Sequence, residues 1–428
     1  MLTPSSSAPT LRVAIYRTSS LGDVVLATAC LDLLEHLPVP TEITWIGRGA
    51  ALETVTRSWP TVRAVEIGKG DTLNDLQRIT DALAHHHLLI DLQVNLRSKV
   101  LAKNLKLAHG IPCFAADKAQ LARSRLLLEA RMRGRRRPLP AQTRVPPRLQ
   151  YDLMCDALRR GLAHHLPVEM RDGLDAVQPR PRLPIPDAFD TPWRKELRFG
   201  TWLAVAPGAA YETKRAPLEL LREIAAKVRV GLADPVAAPV ALPSQATCAA
   251  PRPAALPHAG LGLAFFGDEA DRQQAVKMLA DLHWPGPVLN LAGRLSLWET
   301  AVALKETACL ISNDSVLAHV AEAVDTPTAV LFGPTVEAFG FAPRLKKSRA
   351  FSALTGCRPC SKHGQAPCRY GDRLCFTSIS PDDVALHVVG LLMAAPVKSA
   401  RGSSAQTGTG GATAHTGGEG GSAPSTTP

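Results

Sequence analysis

Two stretches of the chain combine residue types that suit a phosphate. Asn313-Asp314-Ser315 follows the apolar run Ala308 to Ser312, which reads as a buried strand, and precedes a run of helical spacing from Val316 to about Val324. A strand end that opens a helix presents unpaired backbone N–H groups and the positive end of the helix dipole, and both attract an anion. The same residues also read as a plain N-cap, where Asp and Ser are preferred. The second stretch runs from Pro207-Gly208 through Thr213-Lys214 to Pro217, after the strand-like Trp202 to Ala206. A glycine-containing loop at a strand end can cradle a phosphate through its N–H groups, with one ammonium added by Lys214. A solvated loop lysine is the alternative. Near the N-terminus, Leu11 to Tyr16 leads through Arg17-Thr-Ser-Ser-Leu-Gly22-Asp23 into a helix reaching about His36, and Ser20-x-x-Asp23 has the spacing of a capping box. This turn is not GxGxxG, which argues against a dinucleotide site.

Three further clusters invite chemistry. Cys357-x-x-Cys360 has the half-spacing of a tetrahedral zinc site, but six residues separate Cys368 from Cys375. A structural four-cysteine metal site, disulfides and unligated thiols all stay open. His85-His86-His87 lies at a helix end, where adjacent residues do not share a face, so it reads as a solvated end. Between Arg123 and Arg148 nine arginines stand against the single acid Glu129. That run is either a solvated face or a docking strip for anionic lipid, where each basic residue contributes ~1 kcal/mol.

The elements that position these residues alternate. Strands at Thr41–Ile46, Val62–Ile67 and Leu88–Gln93 are interleaved with helical runs in the first half. Strands at Leu263–Phe266, Ala308–Ser312 and Thr328–Phe332 do the same in the second. Successive βαβ units make parallel sheets, and ligands sit beyond the carboxyl ends of their strands. A chain of 428 residues is long for one core. Two domains are therefore expected, at 1–190 and 191–396, joined by the proline-rich Gln178–Pro192. The Ala/Pro-rich Gly231–Gly260 reads as an inserted surface loop, and 397–428 as a disordered tail.

The hydrophobic fraction of 46% and the charged fraction of 20% are globular values. Nine cysteines behind a polar N-terminus point to a reducing compartment, and no apolar run nears the ~20 residues of a spanning helix. These features predict a soluble cytoplasmic protein. The net charge of +11 favours an anionic partner. Nucleic acid is disfavoured, because zinc-finger, RNP and basic-helix patterns are missing and only 5% of residues are aromatic.

The block NLAG…SL…NDSVLAHVAEAVDTPTAVLFGPT, ending at Thr335, resembles the donor-binding block of the heptosyltransferases, glycosyltransferase family 9. Three more segments resemble the family in the same order: SSLGDVVLAT, DLQVNLRS and PGA…TKRAP. CRPCSKHG resembles a segment of many members. Together they span most of the chain from Leu11 to about Ala394. Departures from the family pattern are Ala206 for a His, Ala216 for a Trp, and Val316 for a Gly.

The resemblance implies an α/β fold of two Rossmann-like domains facing across a cleft, the GT-B arrangement. It implies inverting transfer of heptose from ADP-heptose to the lipopolysaccharide inner core, on a lipid A–Kdo acceptor, with no cofactor required. Asp23 would be the general base, since the attacking hydroxyl must lose a proton. Thr213, Lys214, Asp271 (Glu269 as the near alternative), Asn313, Asp314, Ser315, Val316 and His319 would line the donor side. Ser20, Gly22, Arg97 and Ser98 would line the acceptor side. Cys357, Cys360, Cys368 and Cys375 are the candidate ligands of a structural zinc. The partners implied are the nucleotide sugar, an anionic lipid or lipopolysaccharide-precursor acceptor, and the inner face of the inner membrane. Rival readings are a family member using another nucleotide sugar, a non-catalytic binder of sugar nucleotide or lipid, and, more weakly, a nicotinamide-dependent oxidoreductase.

Overall fold

The computed structural model describes residues 10–68, 73–171, 173–186, 191–198, 200–233 and 260–396. In chain order the first half holds β1 (Leu11–Tyr16), α1 (Leu21–Ala27), α2 (Ala29–Leu34), β2 (Thr41–Gly47), α3 (Gly49–Ser58), β3 (Arg63–Glu66), α4 (Leu73–Ala82), β4 (Leu88–Asp91), α5 (Leu96–His109), β5 (Cys113–Ala115), α6 (Gln120–Arg133) and α7 (Gln150–His165). The second half holds α8 (Pro192–Arg198), β6 (Thr201–Ala206), α9 (Leu218–Ala233), β7 (Leu261–Phe265), α10 (Glu269–Ala280), β8 (Val288–Asn290), α11 (Leu297–Lys305), β9 (Cys309–Asn313), α12 (Val316–Ala323), β10 (Thr328–Phe332), β11 (Arg349–Ser352), α13 (Leu374–Thr377) and α14 (Pro381–Met393).

Both sheets are wholly parallel, ordered β3-β2-β1-β4-β5 and β11-β10-β9-β6-β7-β8. The second is the doubly wound order of a dinucleotide-type fold, and the first is the same winding one strand shorter. The direction of winding reverses between β1 and β4 in one sheet and between β6 and β9 in the other. Crevices open at those two places. The central strands β6, β9 and β10 are buried at every residue, as sheets covered on both faces must be.

Local chemistry explains the helix boundaries. Asn95 caps α5 by accepting the Ser98 N–H at 2.9 Å, and Gly110, at φ +69, ends it in a left-handed turn. Ser296 and Glu299 cap α11 reciprocally, at 3.2 and 2.9 Å.

Residues 178–186 of the expected linker run between the two sheets and are held to both halves. Arg182 N–H donates to Thr28 Oγ1 at 3.0 Å and Leu183 N–H to the Ala323 carbonyl at 2.8 Å. The boundary at 190, most of the Ala/Pro-rich insertion and the tail lie outside the described residues. The first part of the arginine-rich stretch is the helix α6. The edge strands β5 and β11 escape the sequence patterns, being three and four residues long and partly exposed. Among the described residues no helix is long and apolar enough to cross a membrane.

Candidate active site

The loop after β1 and the start of α1 form one wall of the site. Ser20 Oγ donates to Asp23 Oδ2 at 2.9 Å, the Ser20 N–H reaches the same oxygen at 3.4 Å, and Arg17 Nη2 lies 2.7 Å from it. All three contacts fall on Oδ2, and Oδ1 accepts none among the described residues. Arg17 is buried, and its other η nitrogen donates to the Leu92 carbonyl beyond β4. Gln93 closes the turn, its Oε1 accepting the Thr18 and Ser19 N–H groups at 3.1 and 3.2 Å. The carboxylate is therefore fixed in orientation through one oxygen while the other stays available.

The opposite wall is built at β6 and β9. Lys214 Nζ lies 2.7 Å from Asp314 Oδ2, with the two side chains only 16% and 6% exposed. Thr335 Oγ1 donates to the same oxygen at 2.6 Å. Burial alone would raise the Asp314 carboxyl, but the Lys214 ammonium and these hydrogen bonds hold it below the ordinary carboxylate range. Ser315 is the N-cap residue of α12, and its hydroxyl meets Ser312 Oγ at 3.2 Å instead of closing the cap. Ser315 therefore leaves the first N–H groups of α12 without a side-chain cap among the described residues.

The two walls touch through Gly22. A Cβ there would lie 3.2 Å from His319 Cδ2 and 3.6 Å from Val316 Cα, so a side chain would push α1 off α12. Burial lowers the His319 imidazole, against the opposing pull of Asp314 and Asp23, and keeps it neutral near pH 7. Its ring meets Phe341 at 5.9 Å between centroids, and Arg123 lies 5.1 Å over Phe341 while donating to the Phe339 carbonyl at 3.1 Å.

Several expected residues do other work. Asn313 braces the Pro207–Pro217 loop: Nδ2 donates to the Pro207 and Gly208 carbonyls at 2.7 and 3.2 Å, and Oδ1 accepts the Ala216 N–H at 2.9 Å. Ser98 is fully buried and donates to Asp91 Oδ2 at 2.6 Å, which removes it from any cleft. Asp271 is buried as a cap of α10, and burial raises its carboxyl. It is walled in by Gly208 and Gly267, where any Cβ would collide with it. Asp268 and Glu269 are the exposed carboxylates of that turn, and Glu269 lies beside Gly293. Val316 packs on Gly22, and Ala206 and Ala216 are buried in the core, so none of the three departures opens the site. Arg97 lines a separate cavity of about 360 Å³ with Tyr16, Thr18, Ser19, Arg48 and Asn95, at the strand ends of the first sheet.

Sequence reading missed Arg17, Thr335, Lys118 and Arg123. Lys118 donates to the Val94 carbonyl at 3.1 Å; burial and then Arg17 lower its ammonium, while Asp91 and Asp23 oppose them. Arg123 was counted with the surface arginines, yet it is half-buried and within electrostatic reach of Asp23. Only the density of arginines nearby hinted at it.

Cys357, Cys360, Cys368 and Cys375 line one cavity of about 120 Å³. A hydrogen bond from Cys360 lowers the Cys357 thiol to about 6, and Cys360 is raised in return. Among the described residues no three His, Cys, Asp or Glu side chains converge as metal ligands. The donor set suits a thiolate site, but its present arrangement does not form one.

Removing one partner of the buried ion pair tests its weight. Lys214→Met should destabilise the protein by about 3–5 kcal/mol by stranding the Asp314 charge. In the unmodified protein the depressed carboxyl contributes stability above the ordinary carboxylate range, lost as pH falls through its folded value. In the variant burial acts without the ammonium, so its deficit should narrow as pH falls and Asp314 protonates. Denaturant titrations from neutral pH downward check both, and Lys214→Met with Asp314→Asn should recover most of the loss.

Residues 254–370 match the family model described as glycosyltransferase family 9 (heptosyltransferase). Lipopolysaccharide heptosyltransferase 1 of Pseudomonas aeruginosa is 33% identical over 143 residues, 30% of this chain and 38% of that protein. Lipopolysaccharide heptosyltransferase 2 of Salmonella typhimurium is 31% identical over 99 residues, 23% of this chain and 28% of that protein. The match thus spans little more than a third of these curated relatives at most.

Among solved structures, the glycosyl transferase family 9 protein from Veillonella parvula has a TM-score of 0.60 at 16% identity, covering 90% of this chain and 97% of that one. E. coli ADP-heptose LPS heptosyltransferase II has 0.56 at 19% identity, covering 90% and 99%. At these identities the likeness shows the fold, the GT-B arrangement of two parallel α/β domains. Within that fold, residues 254–370 are similar to glycosyltransferase family 9.

Proposed function

We propose that the protein is an inverting glycosyltransferase that moves heptose from ADP-heptose to the lipopolysaccharide inner core, with lipid A–Kdo as acceptor. The carrying observation is the pairing of an oriented carboxylate, Asp23, with a cation and helix start, Lys214 and α12, across walls that touch at Gly22. The family 9 match and the heptosyltransferase names of the relatives support the sugar. The acceptor would lie against residues 1–190 and the nucleotide against 191–396, with Glu269 placed to meet the ribose.

In the transfer, the acceptor hydroxyl oxygen bonds to the anomeric carbon as the bond from that carbon to the diphosphate oxygen breaks. Asp23 Oδ1 takes the hydroxyl proton. The leaving diphosphate is held by Lys214, which shares its ammonium between Asp314 and phosphate, and by the first N–H groups of α12. Arg17, Lys118 and Arg123 place positive charge around Asp23, which offsets the repulsion between that carboxylate and an anionic acceptor. Asp23→Asn should lower turnover by ~10²–10⁴-fold while leaving ADP-heptose affinity nearly unchanged. Radiolabel transfer and calorimetry measure the two, and an active Asn variant would overturn the assignment.

The protein works at the inner face of the inner membrane, in the cytoplasm. α6 supports this, since Leu121, Leu128 and Met132 are 88%, 58% and 70% exposed and share a helix face with Arg125. Arg131, Arg136, Arg137 and Arg144 are exposed around them. Binding to vesicles rich in anionic lipid should fall steeply as salt rises, leaving a residue set by the apolar side chains. Flotation across a salt series checks this, and an absence of binding at low salt would remove the membrane role.

We further propose a structural zinc at the cysteine cavity, with Cys357, Cys360, Cys368 and Cys375 as its candidate ligands. Protein made with zinc available should carry about one zinc per chain by elemental analysis. Four freely titrating thiols and no metal would eliminate the site.

A further inference from the structure

The segment between β11 and α13 carries no part of the transfer so far, yet it is pinned on both sides of the cleft. On the donor side, Thr213 Oγ1 donates to the Gly364 carbonyl, and Cys360 N–H donates to the Pro334 carbonyl at 2.8 Å. Gly364 has φ +81, and a Cβ there would lie 2.5 and 2.7 Å from Cγ and Cδ of Lys214. Only glycine satisfies both the left-handed backbone and that approach. On the acceptor side, Lys362 Nζ reaches Gln120 Oε1 of α6 at 3.4 Å.

His363 stands between these two anchors. One neighbour is held to the helix that carries Arg123, and the other lies on the methylenes of the diphosphate-binding lysine. Burial and then Arg123 lower its imidazole, while Asp23 opposes them and Lys214 adds to the lowering. The base and the phosphate cation therefore both act on this ring. The group that lies between such a base and such a cation during transfer is the migrating sugar.

We propose that His363 contacts the transferred sugar, its imidazole hydrogen-bonding a sugar hydroxyl, and so contributes to the choice of donor sugar. This inference rests on the transfer reading above, and it adds a residue to it. A neutral imidazole both donates and accepts, which suits a hydroxyl better than a phosphate. A backbone clamped at residues on either side limits the ordering that such a contact costs on binding.

The test compares unmodified protein with His363→Ala and His363→Gln, using ADP-heptose as donor and ADP alone as the sugar-free probe. His363→Ala should lower kcat/KM for ADP-heptose about ten-fold or more, because a site that hydrogen-bonds a hydroxyl loses discrimination when a partner is removed. ADP affinity should stay within about two-fold of the unmodified value. His363→Gln, which keeps a donor and an acceptor, should recover part of the loss. In spectra of histidine-labelled protein, the resonance missing from His363→Gln should shift with ADP-heptose and not with ADP.

Unchanged kcat/KM in an active protein, or an equal fall in ADP affinity, overturns the inference and leaves transfer standing. The second outcome would put His363 on the diphosphate or in the scaffold. An unmodified chain that neither binds ADP-heptose nor transfers from it overturns the transfer reading, and this inference with it.

Discussion

The site depends on one close approach, the meeting of two helix starts at Gly22. α1 begins just beyond β1, and α12 just beyond β9, each beside its sheet's reversal of winding. With hydrogen as its side chain, Gly22 lets Val316 and His319 come into van der Waals range. That contact sets the distance between Asp23, one residue further on, and Asp314, two residues before Val316. A parallel sheet sends every loop of one end to the same edge, so two such sheets facing each other present two sets of strand ends to one cleft. The fold supplies the cleft, and Gly22 sets its width.

Charge organisation follows from that spacing. Asp314 is buried, and an isolated carboxylate there would be costly. Lys214 compensates it, which also aims the ammonium into the cleft at a fixed point. Because the ammonium has three protons and Asp314 uses one, a phosphate can be added without breaking the pair. On the facing wall Arg17 does for Asp23 what Lys214 does for Asp314, but through a single oxygen. Lys214 is thus shared with a buried acid, while Asp23, the base in the proposed transfer, keeps one oxygen uncommitted.

Much of the fold was legible in the sequence, because central parallel strands are continuous apolar runs ended by turn residues. Asp23, Lys214 and Asp314 sit at such strand ends, and their segments resemble those of one family. Strands β5 and β11 and helix α6 were not legible as elements, being short, exposed or masked by charge. The roles of Asn313, Ser98 and Asp271 could not be read either. Each is a polar residue next to a strand end, and the sequence does not say whether its side chain points into the cleft or back at the backbone. The structure turns all three inward, where they brace loops. Arg123 shows the converse: its neighbours Arg125 and Arg131 face solvent, whereas aromatic contacts from Phe339 and Phe341 draw it into the site.

That placement of Arg123 ties the surface of α6 to the chemistry beneath it. Arg123 lies two residues beyond Leu121, on the side of α6 away from the exposed stripe of Leu121, Leu128 and Met132, and Asp23 acts on its guanidinium. The far end of α6 is held to the second half of the chain as well. Arg135 pairs with Asp372 and stacks over Tyr370 at 5.0 Å, and Leu139 N–H donates to the Leu354 carbonyl at 2.7 Å. In the proposed transfer, an acceptor anchored in a lipid layer would reach Asp23 from the membrane side while the nucleotide arrived from the aqueous side. A helix whose outer face suits lipid headgroups and whose inner face borders the base satisfies that geometry. The segment from Thr355 to Arg373 is the matching surface of the other half, joined to α6 by the Lys362–Gln120 hydrogen bond, to Arg135 just beyond it by the Asp372 pair, and to Lys214 by close packing. Orienting α6 on a membrane would therefore orient both walls of the cleft together.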